Sequence, residues 1–202
     1  SAVTHTYYFN TNNKLFEKAE VRQALSMAID REALAELIVY ADPATGLIPS
    51  KVFDANGKGE FREEGGKLLE SSANLSEAQA LLKQAGVTRG SFTITVRNNE
   101  VDLAIAEYVA DVWNDLGFTV KVNGLSPEKE PSTEANQSDT YKDLFQEAYV
   151  SGDFDVIAID YQMLAPDAFP ALAQFAAKYS GNGVDMESAD YDVIPNITGY
   201  DS

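Results

Sequence analysis

The chain reads as an α/β protein, a mixed sheet flanked by helices, and three observations predict it. Helices and strands alternate along its 202 residues in the order β-α-α-α-β-α-β-α-β. The helical stretches repeat apolar residues at helical spacing, whereas the strand stretches alternate apolar and polar side chains. One stretch, Val156-Ile157-Ala158-Ile159 after Phe154-Asp155, is continuously apolar and reads as a strand covered on both faces.

In chain order, Thr6-Tyr7-Tyr8-Phe9-Asn10 is the first strand candidate, within a predicted strand over 6–11. Val21, Ala24, Leu25, Ala28 and Ile29 then form one apolar face and predict a helix over 19–29. Asp30 interrupts that pattern and suits the cap of a second helix over 31–40, because its carboxylate can accept from the free amides of the next turn. Residues 39–66 are rich in Gly, Pro and charge and read as a long, partly ordered connection, with turns at Asp42-Pro43 and Asn56-Gly57. Asn74 and Glu77 form a variant capping box for a helix that buries Ala78, Leu81, Leu82 and Ala85 and closes at Gly86. Phe92–Val96 alternates as a strand. A helix over 101–116 follows, with Leu103, Ala106, Val109, Ala110 and Trp113 on its inner stripe, and a strand over 118–122 completes the unit. Residues 123–138 are polar, lack periodicity and read as loop; 141–150 read as a helix with Leu144, Phe145 and Ala148 inward. A last helix is expected over 169–179, and 180–202 as an irregular, poorly ordered tail dominated by polar and acidic residues.

Composition excludes several functions. A net charge of −17 argues against a nucleic-acid partner, which needs clustered Lys and Arg. The chain has no cysteine, so disulfides, thiolate metal sites and a cysteine nucleophile are excluded. His5 is the single imidazole and a poor candidate for a catalytic triad. No stretch has the length of a transmembrane span. P-loop, GxGxxG and GxSxG signatures are absent. The acidic clusters Asp153/Asp155 and Asp185/Glu187/Asp190/Asp192 lack the order of an EF-hand loop and read as solvated charge; no metal and no cofactor are expected.

Tyr8-Phe9-Asn10-Thr11, Val21-Arg22-Gln23-Ala24-Leu25, Ala28-Ile29-Asp30-Arg31-Glu32 and Gly46-Leu47-Ile48-Pro49 occur in an order and spacing that resemble the peptide/nickel/opine class of solute-binding proteins of ABC importers. Ala80-Leu81-Leu82-Lys83-Gln84-Ala85-Gly86, Leu116-Gly117-Phe118-Thr119-Val120 and Phe154-Asp155-Val156 strengthen the resemblance. Members of that family, which includes the oligopeptide- and dipeptide-binding proteins, are longer and two-lobed. The resemblance therefore implies that 1–179 form one C-terminal-type lobe of a periplasmic-binding-protein-like fold, and that the chain is a fragment. It further implies a non-enzymatic, monomeric, extracytoplasmic protein, lipid-anchored in some relatives, that delivers oligopeptides or similar solutes to ABC permease subunits. Relatives of this fold acting as ligand sensors or chaperone-like proteins are the alternative.

Ligands of open α/β sheets collect beyond the carboxyl ends of strands. Two strand ends are polar: Arg97-Asn98-Asn99-Glu100 and Asp160-Tyr161-Gln162-Met163. The candidate ligand residues are Asp160, Tyr161, Gln162, Met163, Arg97 and Asn98. A carboxylate can pair with a peptide ammonium, Gln162 can bond an amide, and Tyr161 and Met163 offer adaptable apolar contact. The residues alone equally allow a solvated strand end; the resemblance favours the ligand wall, because relatives bring contacts from this region. The match has gaps. Relatives often place an acid before the Pro that corresponds to Pro166, and here Asp160 and Asp167 are both out of register. A basic residue that some relatives use for a peptide carboxylate is also missing, with Tyr149 near its place. Asn99 reads as a helix cap, and Arg22 as a structural ion-pair residue beside Glu17, Glu20 or Asp30. A small hydrolase using Asp155 and Asp160 is disfavoured, since residues five apart on a strand face opposite sides.

Overall fold

The computed structural model describes residues 3–38, 42–44, 69–131 and 140–162. The expected helix over 169–179, the tail over 180–202, Met163 and nearly all of the 39–66 connection lie outside them. Within them the elements are β1 (Val3–Phe9), α1 (Ala19–Met27), α2 (Arg31–Leu37), α3 (Leu75–Ala85), β2 (Ser91–Arg97), α4 (Glu100–Asp115), β3 (Thr119–Leu125), β4 (Glu128–Lys129), β5 (Tyr141–Lys142), α5 (Leu144–Ser151) and β6 (Val156–Gln162).

The four long strands share one mixed sheet in the order β1-β6-β2-β3. β2 runs parallel to both β3 and β6, and β1 is the antiparallel edge. The strands beginning near Phe92 and Phe154 thus lie side by side, as the sequence predicts. Helices cover both faces. On one, α1 and α4 meet Phe92, Ile94, Val96, Val156 and Ala158 in the main core. Trp113 is its centre: the ring packs against Phe92, Phe9 and Tyr7 at 5.6, 5.9 and 6.3 Å, and the indole N–H donates to the Leu25 carbonyl at 2.9 Å, which ties α4 to α1. On the other face, Phe145 of α5 packs with Tyr8, Phe154 and Ile157 in a smaller cluster.

The caps explain the helix boundaries. Asp30 accepts from the Ala33 amide at 2.9 Å and separates α1 from α2 as expected. Asn74 accepts from the Glu77 amide, and Glu77 answers by accepting from the Asn74 side-chain amide at 2.9 Å. The backbone amide that a standard capping box would satisfy donates instead to Met27, anchoring α3 beside α1. Gly86 closes α3 in the left-handed region at φ 72°. Arg22 donates to the Phe16 and Glu17 carbonyls, at 2.7 and 3.0 Å, a structural role made through backbone oxygens.

Three expectations are corrected. The helix expected from Tyr141 starts at Leu144, because Asp143 caps it by accepting from the Gln146 amide at 3.0 Å. Tyr141–Lys142 instead pairs with Glu128–Lys129, so the stretch expected to be loop contains a small ladder. The strand expected over 154–159 is displaced towards its carboxyl end. Its ladder with β1 runs from Phe9↔Val156 to Val3↔Gln162, so Asp160, Tyr161 and Gln162 lie inside the strand and not after it.

At the amino end of β6, the Asp155 carboxylate accepts from the Thr93 amide at 2.9 Å and from the Asn13 side-chain amide at 3.0 Å. Asp155→Asn keeps the shape and turns one acceptor into a donor. We expect it to lower unfolding free energy by about 1–3 kcal/mol, read as a lower urea midpoint at unchanged slope. The neighbouring exposed Asp153→Asn should stay within about 0.5 kcal/mol of the parent.

Candidate functional site

The strand order makes the carboxyl end of the sheet a topological switch point. From β2 the chain leaves through α4 on one face and goes to β3 at the edge. It then returns through α5 on the opposite face to β6, on the other side of β2. The β2–β6 ladder is short, with registered pairs only at Ile94↔Val156 and Thr95↔Ile157. The carboxyl halves of both strands therefore share no registered pairs, and a crevice between them is where α/β sheets receive ligands.

Strand alternation sorts the candidate residues by face. Asp160 follows Val156 and Ala158 on the α4 face, where its carboxylate meets His5 of β1, Nδ1 to Oδ1 at 2.6 Å. Tyr161 lies opposite buried Thr4 on the α5 face and is half-buried. Burial raises its phenol pKa above the ordinary value, and proximity to Tyr149, itself raised by burial, adds to the effect. Asp160 and Tyr161 are thus neighbours in sequence but line opposite faces.

Arg97 ends β2 on the Tyr161 face. Its guanidinium carbon lies 4.4 Å above the Phe145 ring, and Nη1 donates to both Asp143 oxygens at 3.0 and 3.3 Å. Asp143 is thereby drawn into two roles, helix cap and counter-ion. The Gln146 amide first, and the Arg97 guanidinium next, hold its carboxyl below the usual carboxylate range. Asn98 donates to the Ser126 hydroxyl at 2.7 Å and ties the β2 terminus to the segment after β3. Asn99 caps α4 through the Asp102 amide at 2.9 Å, as the sequence predicts. A shallow depression of about 300 Å³ lined by Ser91, Phe92, Thr93, Thr119 and Lys121 lies at the opposite, amino end of the sheet. Asp155 and Asp160 are likewise separated along β6, so no acid/base pair forms between them.

Two residues absent from the sequence-based candidates join the carboxyl end, His5 and Asp102. With Asp160 they place three donor atoms within 4.8 Å of one another. Alternation in β1 could have put His5 on the face of Tyr7 and Phe9. No local motif links it to a residue 155 positions away.

The pattern that defines the bacterial extracellular solute-binding proteins, family 5 Middle, matches residues 1–183. The chain belongs to that family. Among curated relatives, the dipeptide-binding protein DppE of Bacillus subtilis (strain 168) is 29% identical over 128 residues, which are 59% of this chain and 23% of that protein. The oligopeptide-binding protein AppA of the same organism is 30% identical over 131 residues, 59% of this chain and 24% of that protein. The chain thus spans about a quarter of the length of the curated relatives it matches. The crystal structure of a peptide ABC transporter's peptide-binding protein covers 100% of this chain and 80% of its own length, with a TM-score of 0.72 at 22% identity. Listeria monocytogenes OppA bound to peptide covers 100% of this chain and 36% of its own, with a TM-score of 0.71 at 21% identity. The fold of this family-5 chain is therefore one domain of a periplasmic-binding-protein fold. Among the described residues, no helix is long and apolar enough to cross a membrane.

The depressed Asp143 pKa carries a definite sign. Its contribution to stability is present above the unfolded carboxylate pKa and is lost as pH falls through the folded value. Arg97→Met should raise the Asp143 midpoint yet leave it below the ordinary range, because the Gln146 amide remains. Carboxyl-carbon NMR titration of both proteins checks this; an unmoved midpoint would show that the ion pair is not made in solution.

Proposed function

We propose that residues 1–179 form one C-terminal-type lobe of an extracytoplasmic solute-binding protein, and that the full-length protein captures oligopeptides and presents them to the permease of an ABC importer. The observation that carries this reading is the short β2–β6 ladder at the switch point, with the half-buried Tyr161 of β6 near Tyr149 beyond it. An aromatic ring on a paired strand supplies broad contact with little loss of rotamer freedom, which suits a ligand of variable side chains. Arg97 and Asn98 border the crevice from β2. Asp160, Gln162 and Met163 complete the proposed ligand set, with Asp160 reaching it from the opposite face. The names of the relatives support peptide as the solute class. The reading is binding and not catalysis. Closure against a second lobe would bury the ligand, so this lobe alone should bind weakly.

Native mass spectrometry of the full-length protein as purified tests the solute class: a ladder of peptide masses supports it, and a sugar or metal complex redirects it. Calorimetric titration with a peptide so identified tests the wall. Tyr161→Ala should weaken binding by about 1–3 kcal/mol with unchanged far-UV circular dichroism. Unchanged affinity would remove Tyr161 from the site.

A further inference from the structure

We propose that His5, Asp102 and Asp160 form a binding site for one divalent transition-metal ion at the carboxyl edge of the sheet, on the face away from Tyr161. The three side chains come from β1, the first turn of α4 and β6, and their donor atoms all lie within 4.8 Å of one another. Metal–nitrogen and metal–oxygen bonds of about 2.0–2.2 Å need only small side-chain rotations to converge on a single ion from that spacing. One imidazole nitrogen and two carboxylate oxygens suit zinc, nickel or copper, whereas calcium and magnesium prefer oxygen alone.

Charge and hydrogen bonding support a ligand here. The two carboxylates bring negative charge that a divalent ion neutralises. The hydrogen bond of 2.6 Å between His5 Nδ1 and Asp160 Oδ1 satisfies only one nitrogen and one oxygen of the group. His5 Nε2 and the Tyr7 hydroxyl are both buried without a hydrogen-bond partner, and their rings meet edge-on at 5.6 Å. Asp160 keeps an exposed edge, its side chain 63% accessible, so water can fill the remaining coordination positions.

The sequence makes the test clean, because His5 is the only histidine and Trp113 the only tryptophan. Tyr7 links them, packed on Trp113 at 6.3 Å. Tag-free, chelator-treated protein is titrated with NiCl₂ and with ZnCl₂ by calorimetry, and with CuCl₂ by tryptophan fluorescence. The expected result is one ion per chain and quenching of Trp113 by copper. His5→Gln and Asp102→Asn should each weaken the affinity by at least about tenfold, while MgCl₂ in place of the transition metal gives no site. Circular dichroism and urea midpoints establish that the variants fold; if His5→Gln does not, Asp102→Asn decides alone. Absence of binding at about 1 mM metal, or binding that survives either substitution, overturns the proposal and leaves diffuse attraction to an acidic surface.

Discussion

The register of the sheet depends on one carboxylate. Asp155 stands where β1 ends and β2 and β6 begin, and its two oxygens take the Thr93 amide and the Asn13 side chain. The same corner is closed by the Asn10 amide on the Asp155 carbonyl at 2.8 Å, and by the Asn10 side chain on the Phe154 and Gly152 carbonyls. These bonds join three strands at the amino end, where the β2–β6 ladder is confined to two pairs. A slip of one residue would exchange the faces of every side chain in β6. Asp160 would then leave His5, and Tyr161 would point into the Trp113 face. What happens at the carboxyl end is decided at the other end of the same strand.

The two faces then develop different chemistry because their cores differ in size. The α1–α4 face is filled by aromatic rings from β1, β2, α4 and the loop residues Phe16 and Phe118, and by β-branched strand residues. That packing reaches to Tyr7, whose hydroxyl is buried, and leaves a polar group beyond it formed by His5, Asp102 and Asp160. The α5 face has a smaller core and a short helix, so Tyr149, Ile159 and Tyr161 stay partly accessible. Low packing on that side leaves an aromatic surface accessible, whereas the heavily packed side fixes the strand that carries it.

Much of this architecture was legible because local signals and the global fold agree. Asp30, Asn74, Gly86 and Asn99 each mark a helix boundary through a side chain or a backbone conformation that acts within one turn. Alternation, and in β6 a continuous apolar run, marked the four strands of the sheet for the same reason. The failures share a cause as well. Tyr141 and Lys142 continue a plausible helical stripe, yet Asp143 is a better cap than helix interior and its side chain ends the helix there. The length of β6 was misjudged because polar residues at 160 and 161 look like a strand end. They remain in the ladder because β1 lies beside them as an antiparallel edge, a partner more than 150 residues away. The pairing of His5 with Asp160 was hidden by the same distance.

Extending β6 through its polar segment changes what the segment can do. A residue in a loop after a strand must be ordered when ligand arrives, and that cost is taken from the affinity. Tyr161 is held opposite Thr4 by ladder bonds on the β1 side and lies near Tyr149, so its backbone is fixed beforehand. The side towards β2 has no registered pairs at this level and remains the open one. Under the proposed function, a wall paired along one edge and unpaired along the other suits ligands that differ in side chain but share a backbone. It is also incomplete alone, because a single wall excludes water from only one side of whatever lies against it.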